Sequence, residues 1–259
     1  RFKQYAAPAV VDRIVSSQST LSFSGETRDI TCFFSDLAGF TRVSEKMGPQ
    51  KTVAILNVYL DRMTEVLDRY FATINKFEGD GIFAFFGAPV ATEDHAAACL
   101  RAALSHLRVL PDLNRRLKRD GLLPEGEDLR IRIGISSGQM VVGNFGSTRR
   151  FDYTVIGDAV NVGARLEGAN RFFGTTVLLA GETRDQVGDA FLLRRIGPVR
   201  LVGREEPVEV YELLDPEAPE GKAGLAEYEA ALAEFEEGWY HEARAKFEQV
   251  LKLRPGDGP

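Results

Sequence analysis

No apolar run in the 259-residue chain approaches the roughly 20 residues needed to cross a bilayer, and Arg1-Phe2-Lys3 opens no signal-peptide hydrophobic segment. The chain is therefore expected to be soluble and cytoplasmic. A start on Arg suggests a fragment, and leaves open an upstream sensor or membrane region of which this is the cytosolic part. Cysteine is scarce: Cys32, in an apolar run, and Cys99, in an Ala-rich helical pattern, exclude a disulfide framework and fit a reducing compartment. The three histidines, His95, His106 and His241, form no cluster with cysteine at metal-ligand spacing, which argues against zinc. Positive charge is in deficit, 32 Lys and Arg against 38 Asp and Glu, so no broad grip on nucleic acid or an anionic membrane is expected. No Gly-x-x-x-x-Gly-Lys-Ser/Thr occurs, which disfavours a P-loop nucleotidase; Gly143-Asn144-Phe145-Gly146 reads as a turn.

What remains is ordinary for a folded chain: 44% hydrophobic and 27% charged residues, with a length that suits one large domain with appendages or two modest ones. Pro8–Val15 carries a short amphipathic pattern and Ser16–Ser24 is Ser/Thr-rich, so residues 1–25 are expected to be a helix and linker. Ile30–Phe34 reads as a buried strand ending at Ser35-Asp36-Leu37-Ala38-Gly39-Phe40-Thr41. Helical spacing then runs over residues 42–72. A hairpin follows, Ile74–Phe77 and Ile82–Phe86, turning at Glu78-Gly79-Asp80-Gly81. A second helix fits Thr92 to about Lys118, with strands at Leu129–Ile135 and Gln139–Val142. This β-α-β-β-α-β order predicts an α+β fold with a ferredoxin-like core, both helices on one face. A strand ending at Ile156, a helix from Gly157-Asp158, and strands near Thr176–Leu179, Leu192–Ile196 and Val208–Leu213 extend it.

Asp215–Gly224, rich in Pro, Glu and Gly, marks a boundary. Beyond it, over residues 222–256, Gly238, Tyr240, Ala243, Phe247 and Pro255 have the spacing of the second half of a tetratricopeptide unit, which either caps further repeats or packs as a helical hairpin.

Asp36 and Asp80 each close a strand in a glycine-containing turn. In this strand order the two carboxylates can converge on divalent cations, although a lone Asp beside Gly more often only caps its turn. In Tyr153–Leu166 a strand feeds a helix on which Asn161 and Arg165, four residues apart, project about 40° apart. An amide and a guanidinium so placed suit a ribose and a polyphosphate; taken alone, such a pair is more often a solvated face.

Together, Phe34–Thr41, Lys76–Asp80 and Gly157–Arg165 resemble the catalytic domain of class III nucleotidyl cyclases, over residues 26–214. The resemblance implies a head-to-tail homodimer with two composite active sites and two divalent cations, Mg2+ or Mn2+. Asp36 and Asp80 are then similar to the metal-binding carboxylates, with the Leu37 carbonyl completing one shell and the Phe40 and Thr41 amides near the triphosphate. From the other protomer, Lys76 and Thr154 resemble the purine-selecting pair, Asn161 the ribose-orienting residue and Arg165 the transition-state stabiliser.

Adenine offers an N1 acceptor and an N6 donor, which a Lys ammonium and a Thr hydroxyl complement. The resemblance thus implies an adenylate cyclase of the bacterial subgroup, acting on ATP in signal transduction. A guanylate cyclase, or a silent pseudocyclase that only dimerises, are the alternatives. The Gly-Gly-Asp/Glu-Glu-Phe turn of diguanylate cyclases is absent. One departure stands out: where similar cyclases carry Lys-Gly-Lys or Lys-Gly-Arg against the terminal phosphates, this chain has Val202-Gly203-Arg204. Arg204 is a phosphate-contact candidate, with a plain surface charge as the competing reading.

Overall fold

The computed structural model describes residues 25–147, 150–219 and 221–259. The helix and linker expected over 1–25 lie outside the described residues but for Gly25. Strand β1 (Glu26–Leu37) is longer than the apolar run that announced it. Its middle is buried on both sides because the sheet is covered twice: Ile30 and Cys32 join one apolar cluster and Phe33 another. Antiparallel partners flank it, β3 (Gly81–Phe86) and β4 (Ile131–Ser147), and β2 (Thr73–Glu78) closes a hairpin with β3. With β5 (Arg150–Ile156), β6 (Val177–Ala180), β7 (Leu193–Val199) and β8 (Val208–Leu213) the sheet order is β2-β3-β1-β4-β6-β8-β7, and β5 pairs with β4. The 2-3-1-4 order of the first four strands is the expected ferredoxin-like core.

The helical stretch expected over 42–72 is two helices, α1 (Phe40–Met47) and α2 (Pro49–Arg69). Gly48, at φ 75°, leaves the helical region, and Pro49 restarts the helix at its first position, where a missing N–H costs nothing. Helix α2 and α3 (His95–Arg119) cover one face of the sheet through Ile55, Tyr59, Met63 and Leu67, and Cys99, Leu100 and Ala103. The strands expected at 129–135 and 139–142 are one strand, β4, which pairs with β1 from Leu37 to Glu26 without a break.

On the other face, α4 (Asp158–Phe173) lies directly on β4. A Cβ at Gly134 would sit 2.1 Å from the Glu167 nitrogen and 2.2 Å from the Gly163 oxygen, so glycine is what lets helix and strand meet. Gly163 in turn packs on the Phe34 ring, itself stacked on Phe83 with centroids 4.4 Å apart. A short helix not expected from the sequence, α5 (Gly181–Val187), follows β6.

The tail forms a helical hairpin, α6 (Leu225–Glu236) and α7 (Tyr240–Leu253). It docks through Arg194 of β7, a residue only 1% exposed. Arg194 Nε donates to Glu212 Oε2 at 2.9 Å, its Nη1 pairs with Asp257, and its guanidinium carbon stands 4.7 Å from the centre of the Tyr228 ring. Gly258 abuts the C-terminal end of α4, where a Cβ on Gly174 would meet its Cα at 3.2 Å. Among the described residues no helix is long and apolar enough to cross a membrane.

Candidate active site

The β1–β3 register, Ser35 opposite Ile82, carries the end of β1 alongside the β2–β3 turn. There the backbone N–H of Leu37 donates to Asp80 Oδ2 at 3.3 Å, and a Cβ on Gly81 would lie 3.9 Å from Asp36 Oδ1. Asp36, Leu37 and Asp80, expected to meet, are brought together. Burial, then the neighbouring Asp36 carboxylate, pushes the Asp80 pKa up to about 6 against the pull of the Leu37 N–H. Tyr59 is fully buried and its phenol is pushed up, by burial first and then by the two nearby aspartates.

Two residues missed in the sequence stand behind this pair. Arg132 faces Asp36 across the β1–β4 ladder, its Nη2 3.2 Å from Asp36 Oδ2 and its Nε 3.2 Å from Glu167 Oε1. Burial raises Glu167 to about 7, with the charges of Asp36 and Asp80 adding and Arg132 opposing. Arg132 thus supplies the positive charge that lets acidic groups crowd here. Register alone could have found it, since in sequence it is one more polar residue in an alternating strand.

Lys76 and Thr154 lie on β2 and β5, strands from opposite sides of β1 and β4. Their immediate neighbours join them: Asn75 Nδ2 donates to the Tyr153 carbonyl at 2.9 Å, and Tyr153 stands over Phe85 with centroids 6.2 Å apart. The β4–β5 hairpin therefore folds across to β2. Lys76 is exposed and pairs with Glu78 at 2.5 Å, while Thr154 is half-buried.

Helix α4 buries Val162, Gly163 and Leu166 against the sheet. Asn161 is exposed and Arg165 half-buried. Arg165 and Glu167, two residues apart, project about 200° apart around the helix. With Glu167 turned toward Arg132, Arg165 is directed away from the aspartate pair, toward Gly203 in the β7–β8 loop. A Cβ on Gly203 would lie 3.3 Å from Arg165 Nη2. Arg204 pairs with Asp158 at the start of α4, and this carboxylate raises the guanidinium pKa. Phe40 is buried and Thr41 exposed at the start of α1, a helix that no side chain caps and that Gly39 enters in the left-handed conformation, φ 72°.

The chain belongs to the nucleotidyl cyclase family: the Adenylate and Guanylate cyclase catalytic domain matches residues 23–214. It is 38% identical over 187 residues to adenylate cyclase 1 of Rhizobium meliloti (strain 1021), an alignment covering 72% of this chain and 28% of that protein. The chain thus spans under a third of the length of this curated relative. The adenylyl cyclase CyaB from P. aeruginosa superposes with a TM-score of 0.68 at 32% identity, covering 75% of this chain and 98% of that one. The guanylyl cyclase Cya2 gives 0.66 at 32%, covering 76% and 97%. The family match ends before the α6–α7 hairpin, and none of these likenesses supports a tetratricopeptide reading of it; what the fold shows is a helical hairpin.

Proposed function

We propose that the chain is the catalytic part of an adenylate cyclase that converts ATP to 3′,5′-cyclic AMP and pyrophosphate at the interface of a head-to-tail homodimer. The observation that carries this reading is the division of the site: Asp36 and Asp80 converge at the end of β1, while Arg165 leaves α4 on another side beside Gly203. One chain alone does not bring the two halves together, and a second copy can. Exposed apolar residues flank the half that would meet it: Phe77 beside Lys76, Ile156 near Thr154, and Val202 beside Gly203.

The donor set fits hard divalent cations. Asp36, Asp80 and the Leu37 carbonyl offer oxygen only, and among the described residues no group of three or more His, Cys, Asp or Glu forms a closed cage. A site of two carboxylates leaves coordination positions for substrate phosphates and water, as Mg2+ prefers. Two bound ions, Mg2+ or Mn2+, would supply Lewis-acid activation of the ribose 3′-hydroxyl and neutralise triphosphate charge.

The protein's own residues position and stabilise. Lys76 and Thr154 read the adenine edge, Asn161 orients the ribose, and the Phe40 and Thr41 amides face the triphosphate. As the 3′-oxygen bonds to the α-phosphorus and the bond to the β-phosphate oxygen breaks, Arg165 offsets the developing charge. The 3′-hydroxyl proton leaves to solvent. Likeness to both CyaB and Cya2 does not choose the base; Lys76 and Thr154 favour ATP over GTP. The presence of all six side chains, Asp36, Lys76, Asp80, Thr154, Asn161 and Arg165, disfavours a silent pseudocyclase. We assign residues 26–214 to the catalytic domain and 222–256 to a tetratricopeptide-like module, in a cytoplasmic portion that follows a sensor or membrane region.

The test is to incubate the purified chain with ATP or GTP and Mn2+ and quantify the cyclic nucleotides. Cyclic AMP that disappears in Asp80→Ala supports the reading. Cyclic GMP as the main product overturns the base assignment, and no product at high protein concentration overturns the enzyme.

A further inference from the structure

The loop between β7 and β8 reaches the catalytic helix at three points. Leu201 is buried in the apolar cluster that holds Val162 and Leu166 of α4. Gly203, at φ 72°, lies against the Arg165 guanidinium, where a side chain would be strained and would crowd Nη2 at 3.3 Å. Arg204 pairs with Asp158, in the first turn of the same helix. The Arg204 Nε is buried with no hydrogen-bond partner among the described residues; the guanidinium is held first by Asp158, with the charges of Glu206 and Glu182 adding to it. Val202 is exposed between these anchors.

We propose that this loop is the positioning element of Arg165, and that Arg204 acts through Asp158 on the geometry of α4 rather than by contacting the substrate phosphates. Arg165 is bracketed: Leu201 sets the loop's depth under the helix, Arg204 fixes its lateral position, and Gly203 supplies a flat backbone wall. A stabilising guanidinium delivers its effect only within a narrow geometry, because a displacement of about 1 Å costs on the order of 10²-fold in rate. Arg204 is therefore a positioning residue. The absence of lysine at position 202 leaves this role intact, since Leu201, Gly203 and Arg204 perform it and the exposed Val202 does not.

The inference rests on the adenylate cyclase reading, and steady-state kinetics of cyclic AMP formation in a double-mutant cycle separate the two. Arg165→Ala tests the reading: kcat should fall on the order of 10²-fold, and an unchanged rate sinks the catalytic assignment itself. Arg204→Ala tests the inference. It should lower kcat about 10-fold with KM for ATP held within about 2-fold, and Asp158→Asn should reproduce it. In the Arg165→Ala background, Arg204→Ala should add less than about a 2-fold loss, because the residue it serves is gone. Gly203→Ala, which changes no charge, should also lower kcat selectively. A rise in KM with kcat preserved, or a full Arg204→Ala effect in the absence of Arg165, means direct phosphate contact and overturns the proposal.

Discussion

Removing the Asp257 carboxylate should release the C-terminal hairpin from the sheet. Arg194 is 1% exposed and Glu212 7% exposed, so both charges are held away from water and answered only by one another, Asp257 and the Tyr228 ring. Arg254 adds a second cation, its Nε 3.3 Å from Asp257 Oδ1. Asp257→Ala removes one of the two carboxylates that answer the buried Arg194 guanidinium, and breaking a buried pair in this way costs about 3–5 kcal/mol. A further ion pair, Arg195 to Glu236 at 2.6 Å, is part-exposed, and such pairs contribute only about 0–1 kcal/mol. At 1.36 kcal/mol per decade the undocked population should rise by roughly 10²-fold to several thousand-fold. Native-state hydrogen exchange reads this as faster exchange in α6 and α7 with the β1–β4 core unchanged, because the hairpin opens as its own unit. Replacing the set together, as Arg194→Met with Glu212→Gln and Asp257→Asn, should cost far less, since no fully buried charge is left unpaired. Equal exchange in wild type and Asp257→Ala would refute the reasoning.

Two further outcomes are expected. Asp36→Ala and Arg165→Ala chains should each keep no more than about 1% of wild-type activity alone, but mixed in equal amounts they should recover about a quarter of it, because half the dimers are mixed and each holds one intact site; a mixture shown to contain heterodimer but no recovered activity would place the whole site in one chain. Metal affinity should fall with acidity: Asp80 moves from 3.8 to about 6, so below that pH protons compete for the carboxylate, and Mn2+ affinity measured by calorimetry should drop about tenfold per pH unit. The linkage to stability has the opposite sense, since the folded chain binds this proton more tightly than the unfolded one, and the group's contribution declines as pH rises from 3.8 to about 6. An affinity flat from pH 7.5 to 5 would contradict both.

The sequence made the strand ends legible because apolar runs stop at glycine turns: Asp36 is the next-to-last residue of β1, and Asp80 stands in the β2–β3 turn. The break between α1 and α2 at Gly48-Pro49 escaped the sequence reading, because the apolar spacing on either side reads as one helix. Other features depend on register. Arg132 becomes a partner of Asp36 only once β1 and β4 are aligned, and Glu167 enters only once Gly134 lets α4 settle on β4. Arg194 reads as a surface residue in a strand until the hairpin covers it. Arg204 presented a charge at a suggestive position, and the chain folded it onto Asp158.

The bond from Asn75 to the Tyr153 carbonyl joins the two strands that bear Lys76 and Thr154 without using either of those side chains. On the proposed reading, the walls of the base site are thus held by one set of atoms and the groups that read the base by another. A lineage can exchange the residues at 76 and 154 while the strands stay where they are. If these two residues read the base as proposed, nucleotide choice can be changed at positions 76 and 154 without disturbing the bond that holds the strands, and a search for variants with altered preference should begin with those two codons.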